Sequence, residues 1–280
     1  MRVATIDIGT NTVLLLVAER DGSGKVRAVT ERAQITRLGE GVDRTKRLAP
    51  EAVERTARCL EAYAREVAAA RVDRVAVVGT SAMRDAPGGE RLTKLVRDSF
   101  GVDVRVLSGD EEARVTFLGA LHGLPVDRIA PAGVFDIGGG STEVILGQLG
   151  DGRLETRFLR SFDVGSVRLT ERLVRADPPT PPMIAAIDAT LAETFAPVPP
   201  LPAGVVPVGV AGTMTTLAAV ALEMTAYDGS RVHGLSLTTS RLEGVADRLA
   251  GCPLEARRQL AGMEPKRADV IVAGARIALA

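Results

Sequence analysis

Three short glycine-containing turns, with a few acids and arginines, hold the chemistry this sequence could perform. The clearest is Asp136-Ile-Gly-Gly-Gly-Ser-Thr-Glu143. Glycine lacks a Cβ, so the backbone N–H groups of Gly138, Gly139 and Gly140 could approach an anion closely, with Ser141 and Thr142 adding hydroxyl donors. An earlier stretch, Asp7-Ile-Gly-Thr-Asn-Thr12, opens in the same way and carries Thr10, Asn11 and Thr12 as short donors. Phosphate is the anion such turns suit, and two of them could grip opposite ends of a diphosphate or a longer phosphate chain. Asp7 and Asp136 stand at the base of the turns. Their hard oxygens suit Mg²⁺ or its bound water, and each could equally hydrogen-bond its own turn. A third junction, Gly209-Val-Ala-Gly212-Thr213, precedes an apolar helical run, whose N-terminal N–H groups attract anions. The same junction also serves plain packing.

Two arginines stand at expected helix starts, Arg84 after Thr80-Ser-Ala-Met83 and Arg267 after Pro265-Lys266. A cation there costs about 0.3–1 kcal/mol against the helix dipole unless an anion lies near, and arginine grips phosphate bidentately. Ser108-Gly-Asp-Glu111 reads as a capping box, which makes Glu111 structural. Glu112, one residue on, is not used by the cap. It could act as a base, or it could simply be an acid placed favourably in a first turn. His122 and His233 have no neighbouring nucleophile signature, and Ser141 and Thr142 have no evident paired base, so covalent catalysis is not indicated.

The elements that must position these residues follow from periodicity. Residues 2–8, 12–19 and 25–33 read as successive strands, followed by helix 50–70, strand 74–79, helix 88–99, strand 103–107 and helix 109–121. The pattern then begins again with strands 132–137, 143–149 and 154–162, a helix over 183–195, and strand 205–210 with a helix over 214–222. Helices near 239–249 and 265–280 finish the chain. The recurrence of a strand, Asp-Ile-Gly and two further strands is an internal repeat. It predicts an α/β fold, duplicated and actin-like, with halves 1–125 and 126–280, a ligand cleft between two lobes, and a final helix that packs back on the first lobe.

Composition narrows the function classes. The 35 basic and 35 acidic side chains cancel, which argues against a general nucleic-acid or membrane-surface binder. Aromatic residues are 3 % of the chain and Trp is absent, so no base-stacking platform is expected. Cys59 and Cys252 have neither metal-type spacing nor a disulfide framework. With no leader-like or membrane-spanning stretch, the expected location is the cytoplasm.

Taken in order, Asp7–Thr12, Arg37-Leu-Gly-Glu-Gly41, Thr80-Ser-Ala-Met-Arg84-Asp-Ala86, Leu107-Ser-Gly-Asp-Glu-Glu-Ala113, Asp136–Glu143, Gly209–Thr216 and Arg267-Ala-Asp-Val-Ile-Val-Ala-Gly274 resemble the exopolyphosphatase and guanosine pentaphosphate phosphatase family over essentially the whole chain. The resemblance implies an acetate kinase, sugar kinase, Hsp70 and actin-type (ribonuclease H-like) fold. It further implies release of terminal orthophosphate from inorganic polyphosphate with Mg²⁺ or Mn²⁺. Glu112 would activate water, Asp136, Glu143 and Asp7 would bind metal or position that water, and Arg84 and the glycine turns would hold phosphate. Arg267 would contact the chain or a guanosine nucleotide. The alternatives it leaves are hydrolysis of guanosine pentaphosphate, or a ppGpp- or polyphosphate-binding regulator with little activity. A homodimer would be expected. Family members often carry further helical domains, and short members commonly continue past the Arg-Ala-Asp helix, which is where this sequence stops.

Overall fold

Ala4, Ile6 and Ile8 alternate with Thr5 and Asp7, and Val13, Leu15 and Val17 alternate with Leu14 and Leu16, so each strand turns one apolar edge inward. The computed structural model describes residues 1–24, 26–121, 124, 131–150 and 153–280. Its packing divides the chain into two units, Met1–Ser108 and Gly109–Ala280.

The first unit runs β1 (Arg2–Ile8), β2 (Thr12–Arg20), β3 (Val26–Ile35), α1 (Val42–Thr45), α2 (Pro50–Ala70), β4 (Arg74–Gly79), α3 (Ser81–Asp85), α4 (Glu90–Phe100) and β5 (Val104–Val106). Its sheet order is β3-β2-β1-β4-β5, with β2 antiparallel to both neighbours and β4 and β5 parallel to β1. Pro50 pre-sets the first turn of α2. Val53, Ala57, Leu60 and Val67 then form a buried stripe at helical spacing that packs on the inward edges of β1 and β2. Tyr63, on the same stripe, donates its hydroxyl to the Val13 carbonyl at 3.1 Å.

The second unit runs α5 (Gly109–Leu121), β6 (Ala132–Ile137), β7 (Thr142–Gly150), β8 (Arg153–Phe162), α6 (Ser166–Leu173), α7 (Pro181–Phe195), β9 (Val206–Val210) and α8 (Ala211–Ala221). It closes with α9 (Gly229–Val232), α10 (Thr239–Ala250), α11 (Leu254–Arg258), a 3-10 turn over Pro265–Arg267 and α12 (Ile271–Leu279). The sheet order β8-β7-β6-β9, again with an antiparallel trio and one parallel strand, repeats β3-β2-β1-β4. This is the ribonuclease H-like sheet from which actin-like folds are duplicated. Even the turns superimpose in register: Ile8 pairs with Val13 as Ile137 pairs with Thr142. Gly9 N–H donates to Thr12 O and Gly138 N–H to Ser141 O, both at 3.1 Å.

The units differ in how the sheet is covered. In the second, α5 lies on one face through Ala113, Phe117 and Leu121 against Ala132, Val134 and Ile145. The other face takes Leu169, Ile187, Leu191, Ala273 and Ile277 from α6, α7 and α12. Residues 132–147 are therefore largely buried on both faces. In the first unit, Leu16 occupies the position equivalent to Ile145 and is 37 % exposed, where Ile145 is fully buried.

Two expectations change. The boundary expected at residue 125 falls outside the described residues, and the packing divides the chain after Ser108, because α5 shares its core with β6 and β7. The stretch 265–280 is not one helix: a 3-10 turn precedes α12. The last helix, α12, is an integral part of the second unit's core.

Candidate active site

Each turn is anchored to the rest of its unit through its carbonyls. In the second unit the segment after the third strand donates into the glycine turn. Ser166 N–H bonds Gly138 O, Val167 and Arg168 N–H bond Gly139 O, and the Arg168 side chain donates from Nε to Gly140 O at 2.8 Å. In the first unit Thr36 and Arg37 N–H bond Asn11 O, and Gly39 N–H bonds Thr10 O. Both approaches require glycine, since a Cβ on Gly165 would overlap Gly139 and one on Gly39 would overlap Thr10. The amides of Gly139, Gly140 and Ser141 have no hydrogen-bond partner among the described residues. Near the first turn, Asn11 Nδ2 and Thr36 Oγ1 are buried with none either. Orphaned buried donors cost about 1–3 kcal/mol each, and a bound anion would remove that cost.

Beside the second turn the sheet carries a row of polar side chains. Asp136 on β6, Glu143 on β7 and Ser161 on β8 are register partners across three strands. Helix α5 crosses above them. Its Thr116 donates Oγ1–H to Asp136 Oδ2 at 3.0 Å, and Ser161 donates Oγ–H to Glu143 Oε1 at 2.7 Å. Glu143 is 1 % exposed. Loss of solvation pushes its carboxyl up to about 8, helped by the charge of Glu112 and then of Asp136, while Ser161 and Ser141 pull the other way. Burial also raises Asp136, against the hydrogen bond from Thr116. Glu112, the fourth residue of α5, is therefore near enough for its charge to act on the Glu143 carboxyl.

The equivalent row of the first unit is Asp7, Leu14 and Ala33. The duplication thus copies the turn and its aspartate but not the second acid or the serine, so the acidic centre belongs to the second unit alone.

The remaining candidates separate into two groups. Arg267 lies against the start of α8, and its guanidinium occupies the space a side chain at Gly212 would fill. Burial lowers its pKa, with Glu264 and Tyr227 acting in the opposite sense. Ala211, at the head of α8, has φ +68°, a strained conformation for a residue with a Cβ. Thr213 packs on Gly274 of α12. Arg84, by contrast, lies in the last turn of a five-residue helix, so the dipole argument for it fails. It donates Nη1 to Leu107 O at 2.9 Å, next to Asp85. Thr142 is 1 % exposed and donates its hydroxyl to Val164 O at 2.7 Å, so it staples β7 to the segment leading into α6. His122 is outside the described residues.

Sequence reasoning did not pick out Thr116, Ser161 or the N-terminus of α6. The parallel between Leu38-Gly39 and Val164-Gly165, each following a third strand, was the available signal for the last of these. Thr116 and Ser161 had none, because their partners are distant in sequence.

The donors suit a divalent cation. Asp136 and Glu143 are register partners, Glu143 buried and Asp136 half-buried, and ions such as Mg²⁺ bind through one or two carboxylates with phosphate and water completing the shell. Among the described residues no group of three or more His, Cys, Asp or Glu side chains could hold a metal by itself.

Fold and site together define an α/β protein of the actin-like, ribonuclease H-like class, with amide-presenting turns and one buried acidic centre. The chain belongs to the Ppx/GppA phosphatase family, whose model matches residues 16–280. It is 40 % identical to Exopolyphosphatase 2 of Mycobacterium tuberculosis, over 98 % of this chain and 88 % of that protein. It is 32 % identical to a bifunctional 3-dehydroquinate synthase/phosphatase of Fusobacterium nucleatum, over 97 % of this chain and 41 % of that one. Among solved structures, the Aquifex aeolicus Ppx/GppA family member matches 100 % of this chain and 89 % of its own, at 34 % identity and TM-score 0.79.

Proposed function

We propose that this chain is an exopolyphosphatase, a phosphoanhydride hydrolase that releases terminal orthophosphate from inorganic polyphosphate. One observation carries the chemistry: α5 brings the charge of Glu112 to bear on Glu143, the register partner of Asp136, beside a turn in which the Gly139, Gly140 and Ser141 amides have no partner among the described residues. Glu112 accepts a proton from water, whose oxygen attacks the terminal phosphorus. The bond from that phosphorus to the bridging oxygen breaks, and the shortened polyphosphate leaves. Asp136 and Glu143 hold Mg²⁺ or Mn²⁺, which when bound offsets charge on the phosphoryl oxygens. Gly139, Gly140 and Ser141 grip phosphate with their amides, while Gly138 N–H closes the turn behind them on Ser141 O. Gly212 at the start of α8, with Thr213 behind it and Arg267 above, forms a second grip. Thr10, Asn11 and Thr12, with Asp7 at their base, form the equivalent grip of the first unit. A reducing cytoplasm suits the free thiols of Cys59 and Cys252. No helix of the described residues is long and apolar enough to cross a membrane. Hydrolysis of guanosine pentaphosphate is the less favoured alternative, since the 40 % identical relative above is named an exopolyphosphatase.

Phosphate release from polyphosphate, guanosine pentaphosphate and ATP, measured side by side with and without Mg²⁺, tests the reading. Polyphosphate should be cleaved fastest and only with metal. Glu112→Gln should bind polyphosphate normally and lose about 10²–10⁴-fold in kcat. Near wild-type release by that variant would remove Glu112 from the mechanism.

A further inference from the structure

Gly109, Glu112 and Thr116 stand three and four residues apart, so they lie on one face of α5, the face that also buries Ala113 and Phe117 against the sheet. Along that face the helix passes over the row in order: Gly109 contacts Ser161 of β8, Glu112 acts on Glu143 of β7, and Thr116 bonds Asp136 of β6. The contact at Gly109 is the tightest. A Cβ placed there would overlap the Ser161 side chain and lie 2.8 Å from its Oγ. Ser161 uses that Oγ to hold Glu143 at 2.7 Å. Alanine propagates a helix better than glycine, and Gly109 is not among the positive-φ glycines, so neither helix propensity nor backbone conformation accounts for glycine here. Close approach to Ser161 does.

We propose that Ser161 and Gly109 form a positioning pair for the hydrolytic reaction: the serine hydroxyl fixes the rotamer of Glu143, and the missing Cβ fixes how low α5, and with it Glu112, sits over that carboxylate. The inference rests on the hydrolytic role of Glu112 given above. Ser161 acts through Glu143, and Gly109 acts through the helix. The first unit supports the assignment. There the position equivalent to Glu143 is Leu14 and the one equivalent to Ser161 is Ala33, so the serine accompanies the acid it orients.

The two functions of the pair separate by mutation. Ser161→Ala removes the hydroxyl and keeps the spacing; it should lower kcat for tripolyphosphate by roughly 10-fold, within the range for partners that orient a metal-site ligand, with KM and Tm nearly unchanged. Gly109→Ala forces the helix up and should cost on the order of 100-fold in kcat. Adding Ser161→Gly to Gly109→Ala makes room for the new methyl, since the nearest remaining Ser161 atom is its Cα at 3.9 Å. The double variant should therefore regain activity to the level of Ser161→Gly alone. Hydrogen exchange of residues 110–117, which needs no turnover, should show protection lost in Gly109→Ala and restored in the double variant. A double variant no better than Gly109→Ala, or a Ser161→Ala loss matched by an equal fall in Tm, would overturn the pairing. A wild-type protein that releases no phosphate but gives the expected exchange pattern would sink the catalytic reading and leave the packing pair standing.

Discussion

Glu143→Gln offers the sharpest test of the acidic centre, because its effect on stability can be worked out from one side chain. In the native protein the Glu143 carboxyl binds its proton with a pKa of about 8, against an ordinary 4.5. An acid raised in this way stabilises the fold fully below pH 4.5, and that stabilisation is lost as pH rises towards 8, because the native state must then carry a buried anion beside two others. At about 1.4 kcal/mol per pH unit, the whole window amounts to about 5 kcal/mol. Glutamine keeps the shape and still accepts from Ser161, but it never ionises. In chelator, melting curves from pH 5 to pH 8 should therefore diverge. Wild type should fall relative to Glu143→Gln by roughly 10 °C, taking roughly 2–4 °C per kcal/mol for a protein of this size. Mg²⁺ should restore much of the wild-type loss at pH 8 and do little for the variant. Parallel melting profiles for the two proteins, or a variant less stable than wild type at pH 8, would refute the buried-acid argument.

Gly212→Ala should leave Tm nearly unchanged, because the overlap is with the far end of the long Arg267 side chain and alanine suits α8. It should nevertheless raise KM for polyphosphate about 10-fold by displacing that guanidinium; an unchanged KM would take Arg267 out of the phosphate grip. Arg257→Met addresses the scaffold. The side chain is 2 % exposed and donates to the carbonyls of Leu249, Cys252 and Ala268 and to Asp177. Stranding those acceptors should cost about 3–5 kcal/mol, read as a lower denaturant midpoint at unchanged m-value. A loss under 1 kcal/mol, on the order of one ordinary hydrogen bond, would show that water replaces the arginine.

Local pattern sufficed for much of this protein. Alternation placed β1 and β2, Pro50 and an apolar stripe placed α2, and the second Asp-Ile-Gly after a strand announced the duplication before any coordinate was known. The acids at 136 and 143 were visible because the turn that carries them is local in sequence. Short elements were not legible: α3 and α11 have five residues each, too few for a period to declare itself. The helix-start argument for Arg84 fails for the same reason, since in so short a helix the first and last turns coincide.

The sequence alone therefore determined the repeated strand–turn–strand units and the residue types of the glycine turns, because those depend on φ/ψ preference and on spacing along the chain. Only the tertiary structure decided which acids meet. The charge of Glu112 reaches Glu143, and Thr116 and Ser161 hold Asp136 and Glu143, because α5 crosses three strands whose register sets Asp136, Glu143 and Ser161 in one row. That crossing is set by burial of Phe117 and Ala113 against β6 and β7. Packing over separations of about 20 to 50 residues has no signature in local periodicity.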